Sequence, residues 1–126
     1  MGEKAKLLTE AELELMTILW KLGEGSVADV MAGLPEGRAL AYTSVSTILR
    51  ILEQKKILKT RKEGRGHIYI PALAKAEYEA RTVQHMVENV FEGAPVALAR
   101  HILKNQNMSA EELAELRSLL NKLEAK

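Results

Sequence analysis

The sequence predicts a mainly α-helical fold that contains one small β-hairpin, and three observations support this prediction. Ser or Thr stands three residues before an acidic residue at the start of three segments, which is the capping-box pattern of helix N-termini. Two short runs of strand-forming residues flank a glycine-containing turn near the middle of the chain. Aromatic residues make up only 4% of the chain, so the core must be aliphatic, which favours a helix-rich fold.

The composition is that of an ordinary globular protein. Of the 126 residues, 47% are apolar and 28% are charged, which excludes a disordered or collagen-like chain. The absence of Cys excludes disulfides, thiolate metal sites and a cysteine nucleophile. No apolar run approaches the ~18 residues that a membrane span needs, and the N-terminus lacks the apolar core of a signal peptide. We therefore expect a cytoplasmic protein that does not insert into a membrane.

The first helix is predicted over Glu10–Leu22. Thr9 and Glu12 form its capping box, and apolar residues at helical spacing give it one wide face for burial. Gly23 is expected to end this helix, because glycine commonly follows the last helical residue.

Two more helices are expected before the hairpin. Ser26 and Asp29 repeat the capping-box pattern at the start of a short helix over Val27–Ala32. The third helix is predicted over Thr43–Lys56, because apolar residues recur at the i, i+3, i+4 and i+7 positions of one face. These apolar residues are Val45, Ile48, Leu49 and Leu52.

The hairpin is predicted from two short runs, Ile57–Lys62 and Gly66–Ile70. Both contain β-branched residues, which favour strands, and the residues between them include Gly64, which favours a tight turn. Pro71 is expected to end the second strand, because proline cannot donate a hydrogen bond to a sheet.

Three helices are expected after the hairpin. The first covers Lys75–Phe91. The second covers Pro95–Leu103, and its proline is a favourable first helical residue. The third covers Ser109–Leu123 and begins with another capping box.

Charge is unevenly distributed, although the formal net charge is only +1. Residues 1–37 carry three basic and seven acidic side chains, residues 38–71 carry eight and two, and residues 72–126 carry seven and eight. The middle segment therefore has a net charge of +6, which is typical of a surface that binds a polyanion. The alternative is a lysine-rich surface that contacts only solvent.

The first three helices and the hairpin form the pattern of a winged helix-turn-helix domain. In such a domain the third helix packs its apolar face on the first two and presents polar side chains to base edges. Arg is well shaped to read guanine, and Ser and Thr are poor helix formers, so their presence on an exposed face favours a function. The candidate DNA contacts on this helix are Thr43, Ser44, Ser46, Thr47 and Arg50.

The hairpin supplies a second set of candidate DNA contacts. Basic side chains surround its narrow turn, where they can reach phosphates or the minor groove. The candidates are Lys59, Arg61, Lys62 and Arg65, with His67 beside them. We expect His67 to pack or to contact phosphate, because the other two histidines are scattered and Cys is absent. No metal site and no cofactor are predicted.

Several stretches of the chain resemble the penicillinase-repressor family of the BlaI/MecI type. These stretches are Leu8–Glu12, Met16–Trp20, Ala41–Val45, Leu49–Glu53, Glu63–Arg65 and Ser109–Leu120. The resemblance implies a repressor that binds a dyad operator as a homodimer, and it places the DNA-contacting helix at Thr43–Gln54. In lactam-responsive members it also implies a membrane sensor-protease pathway that leads to cleavage in the C-terminal region.

Two departures from the family pattern concern regulation. The copper-responsive relatives end in a cysteine-rich metal motif, whereas this chain has no Cys, so copper sensing is not expected. The staphylococcal lactam-responsive members carry an Asn-Phe scissile bond, and the pair at the matching position here is His101 and Ile102. We therefore expect no cleavage at this bond in response to a β-lactam.

A DNA-binding domain is expected at residues 1–72 and a dimerisation domain at residues 73–126. The last three helices carry apolar stripes that so short a segment cannot bury within one chain, and a dyad operator requires two readers. The alternative is that these helices pack back on the winged domain. The candidate dimerisation residues are Val83, Val87, Val90, Leu113, Leu116, Leu120 and Leu123.

The sequence therefore predicts a transcriptional repressor that occludes its operator, with β-lactam-resistance or cell-envelope genes as candidate targets. Two alternatives stay open at this point. One is a winged-helix module whose basic hairpin binds an acidic protein, and the other is a repressor whose operator affinity is set by a small-molecule ligand. An enzyme is not expected, because the sequence has no paired-carboxylate, Ser-His-Asp or glycine-rich phosphate-binding motif.

Overall fold

The computed structural model describes residues 7–125 and contains six helices and one two-stranded sheet within that range. In chain order the elements are α1 (Glu10–Leu22), α2 (Val27–Ala32), α3 (Tyr42–Gln54), β1 (Leu58–Glu63), β2 (Gly66–Pro71), α4 (Lys75–Asn89), α5 (Pro95–Asn105) and α6 (Ala110–Glu124). The predicted mainly α fold with one hairpin after the third helix is confirmed. Among the described residues, no helix is both long and apolar enough to cross a membrane.

All three predicted capping boxes form. In α1, Thr9 Oγ1 accepts a hydrogen bond from Glu12 N at 3.1 Å, and Glu12 Oε1 accepts one from Thr9 N at 3.0 Å. The same reciprocal pairs start α2, at Ser26, and α6, at Ser109. Each box satisfies backbone N–H groups that have no partner inside the helix, so local sequence fixes where these helices begin.

The core lies between α1, α2, α3 and the hairpin. The apolar faces of the three helices meet there, and Leu58 and Tyr69 of the hairpin pack against them. The predicted apolar face of α3 is buried, with Ile48 half-buried at its edge. The largest fully buried side chains are Leu15, Met16, Leu19, Leu49, Leu52, Leu58, Val30 and Val45. Because one face of α3 is buried, its polar face points away from the core.

The hairpin has the expected antiparallel pairing, which runs from Leu58 opposite Pro71 to Glu63 opposite Gly66. This register leaves a two-residue turn. Its first residue, Gly64, has a φ of +60°, which a type II′ turn needs at that position and which glycine adopts without strain.

An isolated β-bridge connects the turn between α1 and α2 to the sheet and was not predicted from the sequence. Gly25, in the turn between α1 and α2, donates from its N–H to Tyr69 O at 3.0 Å and accepts from Tyr69 N at 2.7 Å. A single bridging residue carries no periodicity, and its partner is distant in the sequence. Sequence patterns therefore cannot indicate this pairing.

Two helices end earlier than the sequence predicts. The end of α3 lies two residues before Lys56, which has a φ of +66°. The end of α4 lies two residues before Phe91, and Glu92 and Gly93 follow with φ values of +54° and +82°. A positive φ lies outside the right-handed helical region, so neither helix can continue through these residues.

The residue contacts divide the chain into two units, of which the first ends at Val83 inside α4. The start of α4 belongs to this unit because Tyr78 is buried in it. The Tyr78 ring centroid lies 5.9 Å from that of Trp20, and its hydroxyl accepts a hydrogen bond from Leu8 N at 3.1 Å. Trp20 Nε1 donates to Leu73 O at 2.9 Å. The expected domain boundary after residue 72 stays a prediction, and the structural division falls further along the chain.

The second unit contains the rest of α4 together with α5 and α6. None of its described residues, 84–125, is buried. Phe91 and His101 contact each other within the unit, with ring centroids 5.4 Å apart. Four apolar side chains are more than half exposed: Val90, Val96, Leu120 and Leu123. These helices therefore lack the buried core that usually stabilises packed helices.

Candidate nucleic-acid interface

The outward face of α3 holds most of the predicted contacts of this helix. Thr43, Thr47 and Arg50 are exposed, and Ser46 is half-buried on the same face. Ser44 is also exposed but lies toward the border with the core-facing side, as the helical spacing requires. The structure thus places four of the five candidates together, with Ser44 beside them.

The hairpin distributes its basic residues over two faces. Directly opposed residues of an antiparallel pair share a face, and neighbours along a strand alternate. Lys62 is opposite His67, and both share the face of Thr60, which contacts α3. Lys59 and Arg61 lie on the other face. Of the basic candidates on the two strands, only Lys62 and His67 therefore lie on the side of the hairpin that faces α3.

A groove of about 400 Å³ lies between α2, α3 and the hairpin. Ser46 and Arg50 line its helix side, and Arg65 and His67 line its hairpin side. The groove brings together candidate residues that the sequence placed on separate elements. Tyr42 also lines the groove and is 58% exposed, but it was not predicted from the sequence. The feature of the sequence that could have identified Tyr42 is its position directly before Thr43, where the helix was predicted to start.

Side-chain and backbone hydrogen bonds hold the hairpin beside α3. Thr60 Oγ1 donates to Glu53 Oε2 at 2.8 Å, and Gly25 exchanges two backbone hydrogen bonds with Tyr69. Burial and the nearby Glu53 carboxylate raise the pKa of the Tyr69 phenol above its usual value. The phenol is therefore neutral at physiological pH and adds no charge beside the groove.

Three cations of the basic middle segment form ion pairs with acidic residues of the first segment. The pairs are Arg38–Glu14 at 2.9 Å, Lys55–Glu12 at 2.7 Å and Arg61–Glu24 at 2.8 Å. The charge counted along the sequence therefore overstates the unpaired charge of this surface. Within residues 7–125, five cations of the segment have no ion pair: Arg50, Lys56, Lys59, Lys62 and Arg65.

Glu12 is the buried charged residue of the described range. Burial raises the pKa of its carboxyl, but the hydrogen bond and charge of Lys55 and the hydrogen bonds from Thr9 outweigh burial and lower this pKa below its usual value. The hydrogen bond from Arg61 likewise lowers the pKa of Glu24. Both carboxylates are therefore ionised at neutral pH and neutralise the cations beside them.

The candidate dimerisation residues lie on two helices, α4 and α6. Val83 and Val90 are exposed on α4, and Val87 is half-buried. On α6, Leu116 is half-buried, and the other three are exposed: Leu113, Leu120 and Leu123.

His101 and Ile102, the candidate cleavage pair, lie inside α5 and are both exposed. Asn105 Nδ2 lies 3.3 Å from His101 Nδ1 and donates to His101 O at 3.0 Å. The three histidines of the chain lie on separate elements, with His67 on β2 and His85 on α4. In the part of the chain that the structure describes, no three His, Asp or Glu residues are grouped so as to bind a metal ion.

Comparison with known proteins identifies the family of this chain. The family model described as "Penicillinase repressor" matches residues 8–122. The chain belongs to the penicillinase repressor family. The resemblance seen in short stretches of the sequence is thereby confirmed, and the chain is a DNA-binding transcriptional repressor rather than an enzyme.

Relatives in this family span almost the whole chain. The penicillinase repressor of Bacillus licheniformis is 26% identical over 118 residues, which cover 94% of this chain and 92% of the relative. The methicillin resistance regulatory protein MecI of Staphylococcus aureus (strain N315) is 21% identical over 122 residues, which cover 97% and 99%. Among solved structures, the DNA-binding domain of the repressor BlaI is 30% identical with a TM-score of 0.51, over 56% of this chain and 87% of that domain. This last match supports the winged-helix assignment.

Proposed function

We propose that the chain represses transcription as a homodimer on a dyad operator, with α3 of each subunit in the major groove of one half-site. The groove between α3 and the hairpin carries this proposal, because Ser46 and Arg50 lie there opposite Arg65 and His67. A base-reading helix and a phosphate-binding hairpin must contact the same duplex at once. One groove lined by candidates for both tasks meets that requirement.

Arg50 is the proposed base-reading residue. A guanidinium can donate two hydrogen bonds to O6 and N7 of guanine, and Thr47, one turn earlier, offers a methyl and a hydroxyl group to a neighbouring base. Arg50 is exposed and has no ion pair with another described residue. It therefore does not have to leave a carboxylate before it reaches a base.

The hairpin is proposed to bind the phosphate backbone through Lys62, Arg65 and His67. Arg65 occupies the turn, and the other two lie on the face toward α3. Phosphate is also expected at the start of α3, because the N-cap residue Ala41 makes no side-chain hydrogen bond and the first-turn N–H groups can serve an anion. Lys59 is assigned a smaller part, since it lies on the other face.

The second unit is proposed to form the dimer interface. In the single chain none of its described residues is buried, although α6 carries leucines at the 3-4-3 spacing of helices that pack against partner helices. A second copy of this unit would supply the missing core. Two-fold symmetry would then present two copies of α3 to a symmetric operator.

Repression is proposed to follow from occupancy, because a dimer on its operator blocks RNA polymerase. The names of two relatives refer to penicillinase and to methicillin resistance. We therefore propose β-lactam-resistance or cell-envelope genes as the targets of this chain. We place the protein in the cytoplasm and propose a membrane sensor-protease pathway as a candidate route for relief of repression.

Selection of duplexes from a random pool tests this proposal. We expect the full chain to enrich an inverted repeat whose half-site centres lie one or more DNA turns apart, about 10 base pairs per turn. Sedimentation should show two subunits on each selected duplex, and the promoter beside the chain's own gene should compete for binding. Enrichment of a single unrepeated site would contradict the dimer. Binding without any enrichment would contradict sequence-specific repression and favour an acidic protein partner.

A further inference from the structure

The ion pair between Arg61 and Glu24 lies on the hairpin face that points away from α3. Both Nη atoms of Arg61 donate to the carboxylate of Glu24, at 2.8 and 3.1 Å. The carboxylate of Glu63 lies 3.5 Å from the same guanidinium. Both members of the main pair are about half exposed, at 45% and 46%. One cation of the hairpin is therefore held by carboxylates of its own chain.

Backbone hydrogen bonds that do not involve this ion pair also attach the hairpin to the turn that carries Glu24. Glu24 directly precedes Gly25, and the two backbone hydrogen bonds between Gly25 and Tyr69 attach this turn to β2. Gly25 and Tyr69 are buried, so these bonds are protected from water, whereas an exposed ion pair is weakened by solvent and salt. We therefore expect Glu24 to act mainly on the charge of Arg61.

Glu24 competes with DNA phosphate for the guanidinium of Arg61. A cation that binds phosphate releases counterions from DNA, and this release drives association. Because Glu24 binds both Nη groups and neutralises the guanidinium, Arg61 offers its full charge to phosphate only when it gives up this carboxylate. The carboxylate would then lie unpaired beside a polyanion, which opposes binding further.

We propose that Glu24 limits the DNA affinity of this repressor by keeping Arg61 from phosphate. This inference rests on the proposed DNA-binding function and adds an affinity-determining residue to it. Arg61 then contributes to DNA affinity only when its ion pair with Glu24 is broken. Removal of the Glu24 carboxylate is therefore predicted to raise the DNA affinity rather than lower it.

The substitution Glu24→Gln in the full chain tests the inference, because Gln keeps the size of the side chain and leaves the backbone bonds of Gly25 in place. On a random duplex at low salt, we expect affinity to rise about threefold to tenfold. The slope of log affinity against log salt should steepen by less than the roughly 0.9 for each subunit that a full phosphate contact gives, because Arg61 lies on the same hairpin face as Lys59. In an Arg61→Gln background the same substitution should leave the slope unchanged. Glu63→Gln, which removes a nearby charge but keeps the main pair, is the matched control and should have a smaller effect.

Two results would overturn the inference. Weaker binding by Glu24→Gln would mean that the pair supports the hairpin, and an equal gain with and without Arg61 would mean a general charge effect. A different result bears on the proposed function. If the unsubstituted chain shows no salt-dependent DNA binding, that function fails, so the two failures are distinguishable.

Discussion

At the scale of single residues, Arg50 and Arg61 show that the surroundings of a side chain decide what its charge can do. Both are predicted from the sequence as DNA contacts, because residue type and position on an element are visible there. Arg50 is exposed and has no ion pair in the described range, whereas Arg61 is held by Glu24. The members of that pair are 37 residues apart, and only the tertiary fold brings them together. Sequence patterns therefore predict which cations surround the interface, but not which of them are neutralised.

We expect Arg50 to read bases and Arg65 to bind phosphate, so substitutions of these two residues should affect DNA binding differently. Arg50→Ala should cost about 1–3 kcal/mol per half-site on operator DNA and less on random DNA, because a base contact is lost. Arg65→Ala, the matched control in the turn, should weaken both complexes similarly and flatten the salt slope by about 0.9 per phosphate contact. Binding isotherms on operator and scrambled duplexes at several salt concentrations measure these effects. The reverse pattern would exchange the two assignments.

At the scale of the elements, the sequence predicts features that neighbouring residues form, but it does not predict pairings between residues that are distant along the chain. The capping boxes at Thr9, Ser26 and Ser109 each lie within four residues, and all three form. The end of α3 is misplaced, because the positive φ of Lys56 has no marker in its residue type. The β-bridge at Gly25 is missed, since its partner lies on the hairpin, which is distant in the sequence. The position of the hairpin beside α3 thus depends on contacts that sequence periodicity does not show.

Alternation along β1 gives a prediction for two lysines of the same strand. Lys62 lies on the face toward α3, and Lys59 lies on the opposite face. Lys62→Ala should therefore lower DNA affinity and flatten the salt slope by about 0.9 per subunit, whereas Lys59→Ala should change the slope by less than half as much. Each substitution removes one charge from an exposed strand position, so each controls for the other. Equal slopes for the two variants would show that strand face does not decide which lysine meets phosphate.

The contact between the start of α1 and the end of α3 is expected to weaken in acid. The pKa of Glu12 is lowered in the folded state, so its contribution to stability is present above the unfolded pKa, near 4.5, and is lost as pH falls through the folded pKa. Glu12→Gln keeps an acceptor for Thr9 N but loses the charge beside Lys55. At pH 7 it should lower the free energy of unfolding by about 1–2 kcal/mol, and the difference from the unsubstituted chain should vanish below the folded pKa.

Fluorescence of Trp20, the single tryptophan of the chain, reports unfolding of the first unit during denaturant titration. Glu14→Gln is the control, since it breaks an ion pair with Arg38 that is more exposed than the contact of Glu12. We expect this variant to change stability by less than 1 kcal/mol. A stability difference for Glu12→Gln that persists unchanged into acid would show that its charge does not contribute.

At the scale of the whole molecule, the two units differ in how much of their structure one chain can stabilise. The first unit buries a continuous aliphatic core, whereas no described residue after Val83 is buried. The apolar stripes of the last helices predict this difference. The predicted boundary after residue 72 lies before Tyr78, whose buried contact with Trp20 leaves no periodic signal in the sequence. We therefore expect one chain to suffice for contact with a half-site, and we expect the stability of the last helices to depend on a second chain.

Regulation by cleavage gives a prediction at His101 and Ile102. We expect no cut between them when cells meet a β-lactam, because the pair differs from Asn-Phe and lies inside α5, which must open before a protease can reach its backbone. Mass spectrometry of the protein from challenged cells measures this. The double substitution His101→Asn and Ile102→Phe, made in the same cells, is the control and should create a cut if the protease reads these side chains. A fragment of the unsubstituted chain that ends at His101 would contradict the prediction.

Assembly is expected to depend on the leucine stripe of α6. Leu116→Asp should yield monomers, because a charge buried at an apolar interface costs several kcal/mol. Ser118→Asp is the matched control, since it adds the same charge to the opposite face of the helix and should leave the dimer intact. Sedimentation at several protein concentrations measures the assembly of both variants.

The same pair of variants separates assembly from DNA reading. Leu116→Asp should lose most of its affinity for a two-half-site operator but keep the affinity of the unsubstituted chain for an isolated half-site, because the core around α3 does not include α6. A Leu116→Asp chain that remains dimeric would place the interface on another helix, with the stripe of α4 at Val83, Val87 and Val90 as the next surface to test. Equal losses of affinity for the half-site and for the full operator would instead mean that the last helix supports the fold of the DNA-binding unit.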